Sequence, residues 1–168
     1  MATVTDIQNS EDDRFEPQVV YVVSVDDDAA VANMERDSLS INLNEESDSF
    51  EPHSSRNIQS SATTRDPDLE FTLARGENGE AFDVLGIRDD ANEGLYVRGA
   101  DRNKDRMELW YYEADADPTV DSPDLVDAFE SCRVDVEDVA TDTVAGLVSV
   151  TIDVQGDVYW DTTSDLAA

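Results

Sequence analysis

The chain holds 168 residues, about one domain's length, with 41 acidic against 11 basic side chains and a formal net charge of −30. Nucleic acids recruit proteins chiefly through Lys and Arg, so this balance excludes a nucleic-acid-binding module, and anionic lipid should be repelled as well. One cysteine and one histidine exclude an internal disulfide framework and zinc sites built from several His or Cys ligands.

The start of the chain has neither the basic nor the apolar region of a secretion signal, so Sec export is not expected. Residues 1–17 are polar, acidic and aperiodic, which predicts a flexible N-terminal arm ahead of one domain over 18–160. Val19 to Val25 is β-branched and aromatic, a buried strand stopped by Asp26, Asp27 and Asp28. Ser38 to Leu43 alternates, with Leu39, Ile41 and Leu43 on one face. Residues 44–64 are rich in Ser, Thr and Asn, hold few large apolar groups besides Phe50 and Ile58, and include His53. A structureless loop of that length is uncommon inside a compact domain. The stretch therefore predicts a long polar hairpin or loop, which as a hairpin could not bury a face in its own core and would pair with neighbouring copies instead.

Leu69 to Leu73 alternates as a strand, residues 75–79 form a turn, and the apolar spacing from Glu80 to Ile87 predicts a helix with Asn78 as its cap. Leu95 to Arg98 and Met107 to Glu113 are expected to pair across an Arg- and Asp-rich turn, Trp110 and Tyr112 facing away from Leu109 and Tyr111. Ser122 and Pro123 are a helix-start signal, predicting a short turn of helix toward Phe129. Cys132 to Val136 and Val144 to Val154 alternate, and after Gly156 a short segment to Trp160 precedes a polar tail over 161–168. No apolar run approaches the ~20 residues of a membrane helix, and no membrane partner is expected. Seven or eight strands with one or two short helices predict an all-β fold, a β-sandwich or barrel.

No catalytic constellation stands out. His53 lies in Glu51-Pro52-His53-Ser54-Ser55, and no serine sits in a Gly-x-Ser-x-Gly elbow. With 41 acids, carboxylate pairs arise by chance, so none can be singled out as a glycosidase pair. Asp26 to Asp28, and the group Asp115, Asp117, Asp121 and Asp124, lack EF-hand spacing and are read as solvated turns. Cys132 alternates with Val134 on one strand face and is read as a buried inert thiol. The sequence thus predicts no enzyme, no cofactor, no metal site and no catalytic residue, but a protein that acts by shape and self-association.

The charge divides into 27 Asp, 14 Glu, 10 Arg and the single Lys104. A folded surface so acidic repels itself at low salt, where charges act over about 10 Å, and is relieved at 1 M, where they act over roughly 3 Å. This composition resembles that of salt-in halophilic archaea and their viruses. The order of elements, a strand over Val19 to Val25, a unit from Ser38 through the polar hairpin to Leu73, a helix over Glu80 to Ile87 and a closing strand from Val144 to Trp160, resembles the major tail tube protein of long-tailed, siphovirus-like viruses.

That resemblance covers about residues 18–160 and implies a virion tail component of a haloarchaeal virus, assembled in the host cytoplasm at high salt. It implies homo-hexameric rings stacked into a hollow tube with other tail proteins, the hairpins joined into an inter-subunit barrel, and DNA touched only in non-specific passage through the lumen. The interface or lumen residues it implies are Ser47, Ser49, Phe50, His53, Ser54, Ser55, Arg56, Asn57, Ile58, Gln59, Ser60, Thr63, Thr64 and Arg65. The rival expectation is a halophilic β-sandwich binding module, a capsid decoration or adhesion domain, using Tyr111, Tyr112 and Trp160 for contact.

Overall fold

The computed structural model describes residues 15–26, 30–50, 59–64, 67–99, 102–113, 115–140 and 146–166. The architecture is all-β. Its centre is one antiparallel sheet containing β1 (Val19–Ser24), β2 (Val31–Asn33), β3 (Ser40–Asn42), β6 (Asp68–Ala74), β9 (Asn103–Tyr112), β10 (Leu125–Ala140), β11 (Leu147–Val154) and β12 (Val158–Tyr159). The strand order is β2-β1-β9-β10-β11-β6-β3, with β12 also paired to β10. Two small sheets stand apart: β4 (Glu45–Phe50) with β5 (Gln59–Thr64), and β7 (Arg88–Asp89) with β8 (Leu95–Tyr96).

The large sheet curls until its flanks touch, since Met34, just after β2, bridges Leu73 of β6, and the Glu35 N–H donates to Thr72 O at 2.7 Å. Among the described residues the barrel does not close beyond this one bridge, and the large sheet is a single one, not two stacked as in a sandwich. Curling follows from alternation: Leu69, Phe71 and Leu73 of β6, Val148, Val150, Ile152 and Val154 of β11, and Met107 and Leu109 of β9 all turn inward and are buried.

The helix α1 (Glu80–Leu85) buries Ala81, Val84 and Leu85 in that same core. Fully burying a Val or Leu side chain contributes about 1.5–3 kcal/mol, which holds a helix far too short to persist alone. Asn78 is not its cap. Gly79 occupies that position in the left-handed region with no side-chain hydrogen bond, and the Glu80 carboxylate instead reaches back to the Asn78 N–H at 3.2 Å. Gly86 ends the helix at φ 68°, where its missing Cβ removes the steric penalty.

Two pairings differ from the sequence expectation. Leu95 and Tyr96 pair with β7 and not with the strand at Met107, because Glu93 and Gly94 turn the chain tightly back on Asp89 and leave β9 free to bond β1 and β10 along both edges. The helical turn expected over Ser122 to Phe129 is absent: from Leu125 onward the chain is the 16-residue β10, and the register Leu125↔Tyr111 through Phe129↔Met107 overrides the local Ser-Pro signal. Among the described residues α1 is the one α-helix. Close approach also fixes Gly156, where a Cβ would lie 2.8 Å from Glu130 O.

The opposite face of the sheet carries a second, smaller apolar cluster of Val23, Trp110, Tyr112 and Val126. The loop containing Ala116 and the C-terminal segment containing Leu166 pack over it.

Candidate functional site

The polar stretch is a hairpin, as its composition predicts. β4 and β5 pair over six positions from Glu45↔Thr64 to Phe50↔Gln59, placing Ser47 opposite Ala62 and Ser49 opposite Ser60. Within the chain this ladder stops at two strands, so the outer edges of β4 and β5 meet no other strand among the described residues. Ser47, Ser49 and Phe50 therefore lie on β4, and Gln59, Ser60, Thr63 and Thr64 on β5. His53, Ser54, Ser55, Arg56, Asn57, Ile58 and Arg65 lie outside the described residues.

The hairpin's root is anchored by a single carboxylate. Asp68, the first residue of β6, accepts from Asn42 Nδ2 at 2.7 Å and from Asn44 Nδ2 at 3.0 Å. Asn44 itself adopts φ 53°, a conformation Asn tolerates better than most residues, and this turns the chain from β3 into β4. One side chain thus clamps the point where the hairpin leaves the main sheet.

A second polar centre, which composition did not reveal, lies on the outer face of β9. Glu108 is fully buried and accepts from Arg106 Nε at 2.9 Å, Trp110 Nε1 at 2.8 Å, Ser164 Oγ at 2.6 Å and the Asp165 N–H at 3.0 Å. Burial opposes its charge, yet these four hydrogen bonds outweigh that penalty and hold the carboxyl below its ordinary range. Arg106 also lies 3.3 Å from Asp165 and 3.7 Å from Glu130. The tail at Thr163 to Leu166 is thereby docked on the sheet. The sequence signal was the period-2 spacing of Arg106, Glu108 and Trp110, which puts the three on one strand face.

The remaining candidates have structural partners. Asp117 accepts from the Thr119 N–H and hydroxyl and Asp121 from the Asp117 N–H, both as turn acceptors, and Asp124 accepts from the Glu113 N–H just past the end of β9. Among the described residues no group of three or more His, Cys, Asp or Glu is arranged to hold a metal ion, and no helix is long and apolar enough to cross a membrane. Cys132 is buried and its thiol is pushed up to about 12 by that burial. Of the three aromatics proposed for ligand contact, Tyr112 is buried with its hydroxyl donating to Asp121 O, and Tyr111 is packed against the main core. Only Trp160 is half exposed, its ring edge-on to Phe129.

No protein-family model and no curated protein matches the sequence. In three dimensions the chain is similar to a chain from the cryo-EM structure of an extracellular contractile injection system, the PVC sheath/tube terminator in its extended state. The TM-score is 0.52 at 8% identity, over 89% of this chain and 97% of that one. The two share a fold.

Proposed function

We propose that the protein is a non-enzymatic structural subunit of a virus-tail-like tube, forming homo-oligomeric rings through which DNA passes. The observation that carries this reading is the fold likeness to a sheath/tube terminator chain over nearly that chain's whole length. The hairpin supports it. A two-stranded ribbon of polar residues is at best marginally stable alone, and neighbours in a ring would supply ladder partners to both outer edges. A channel lined by Ser, Thr and carboxylates would bind phosphates poorly and let DNA slide. The acid surface supports assembly at molar salt, as expected for a haloarchaeal virus.

Negative-stain microscopy of the purified chain in molar salt tests the proposal. Stacked hexameric rings are the expected result, and a monomer at every salt concentration would overturn it. A second reading, favoured by the terminator likeness itself, is a subunit that caps a tube: it forms single rings that do not stack. Dialysis to millimolar salt should loosen either assembly, because the self-repulsion of a −30 chain returns.

A further inference from the structure

Two surfaces of different character lie toward the two ends of β10, a groove and an exposed loop. Beyond its far end, a groove of about 510 Å³ runs between α1, the β7–β8 hairpin and β10, with Phe82, Tyr96 and Val139 among its walls and Arg75 at its edge. Tyr96 is 59% exposed and Val139 37%, unusual for large apolar side chains here. Arg75 stacks on Phe82 at 4.8 Å from the ring centroid. Behind Tyr96 lies Arg102, its guanidinium 5.4 Å from that ring centroid, 7% exposed, with Nε and Nη1 unpartnered among the described residues. Unpaired buried guanidinium N–H groups are costly, and a carboxylate is the acceptor that relieves them best. The charged residues lining the groove are Arg75 and Arg88 against Glu137 and Asp138, so it carries no net charge in a chain whose formal net charge is −30.

Ahead of β10, the loop over residues 115–121 presents the complement. Val120 is 78% exposed, the most exposed large apolar residue described, and it is bracketed by Asp117 and Asp121. Those carboxylates bond only within their own turn, leaving lone pairs free for a further donor. The loop precedes the start of β10 at Leu125, and the groove is walled by Val136 and Val139 near that strand's other end.

We propose that the groove seats the Val120 loop of a second copy of this chain, Val120 entering between Phe82, Tyr96 and Val139 and an aspartate of the loop meeting Arg75 or, with Tyr96 displaced, Arg102. The occupant is a sister molecule because the complementary acidic, apolar-tipped loop belongs to this same chain. A contact between two different surfaces is heterologous, so repeated copies run head to tail and close into a ring when the rotation permits. The inference deepens the assembly reading above and rests on it.

Directed cross-linking tests it. Val120→Cys and Val139→Cys are made separately, both at exposed positions, in a chain whose sole natural cysteine is buried. Mixed in molar salt and oxidised with diamide, the two variants should yield disulfide-linked pairs at least ten times more abundantly than either variant alone. A chain that assembles without this cross-link overturns the inference and leaves the tube reading standing. A chain that stays monomeric overturns both. Cross-linked rings that never stack support the inference and overturn stacking.

Discussion

The strand β9 and the hairpin β4–β5 are both extended chain, yet they resolve the same backbone requirement in opposite ways. β9 bonds β1 on one edge and β10 on the other, and both its faces are covered: Met107 and Leu109 by the main core, Glu108, Trp110 and Tyr112 by the loop and tail on the outside. Among the described residues the hairpin's strands pair only with each other, and Asn42, Asn44 and Asp68 anchor its root to the body. Burial on two faces makes a strand part of the folding unit. A two-stranded ribbon with unpaired outer strand edges among the described residues is free to be part of an assembly.

Changes that break this contrast should act on folding in the body and on association in the hairpin. The largest effects are expected at the covered strands. Phe129→Ala, at a fully buried position beside Met107, should cost about 3–5 kcal/mol, read as a lower denaturation midpoint in molar salt. Glu108→Ala should cost about 1–3 kcal/mol for each buried donor it leaves without an acceptor, Trp110 Nε1 and Ser164 Oγ, and should release the tail. Loss of protease protection at the tail would report that release separately from global stability.

The pH dependence sharpens the same point. The folded-state carboxyl of Glu108 lies below its ordinary value of 4.5, so its stabilisation is fully present above that value and is lost as pH falls through the folded value. Unfolding midpoints should therefore drop in acid, and Glu108→Gln should flatten that drop; an identical acid response in both proteins would place the titration elsewhere. Ser164→Ala, which removes one hydrogen bond to Glu108, should cost about 1–3 kcal/mol. At the other end of the scale, deleting residues 47–63 should leave the unfolding midpoint within about 0.5 kcal/mol of the parent while abolishing rings and tubes. Retained assembly in that deletion would remove the hairpin from the proposed function. Finally, Cys132, with its thiol pushed up to about 12, should resist alkylation at pH 8 until the chain unfolds.

Much of the body was legible because alternation at period 2 has one meaning wherever one face is buried. The inward sets of β6 and β11 follow directly from the spacing of Leu69, Phe71 and Leu73 and of Val148, Val150 and Ile152. The pairing of β4 with β5 apart from the main sheet fits a stretch whose large apolar residues are Phe50 and Ile58 alone, too few to line a core. Local signals misled where a longer partner was waiting. Ser122 and Pro123 start no helix because β9 offers the following residues a full ladder, and Leu95 and Tyr96 turn back on β7 because Gly94 permits it.

Sequence alone determined the all-β class, the inward faces of the main strands and the apolar helix after β6, because each depends on residue order along one segment. Only the tertiary structure decided that the strands form one curled sheet, that Glu108 gathers Arg106, Trp110 and the distant Ser164, and that an apolar-tipped acidic loop and an arginine-edged groove lie at opposite ends of one strand. Those features depend on which segments become neighbours across the fold. That choice is made by the summed hydrogen bonding and burial of whole strands, and no local pattern encodes it.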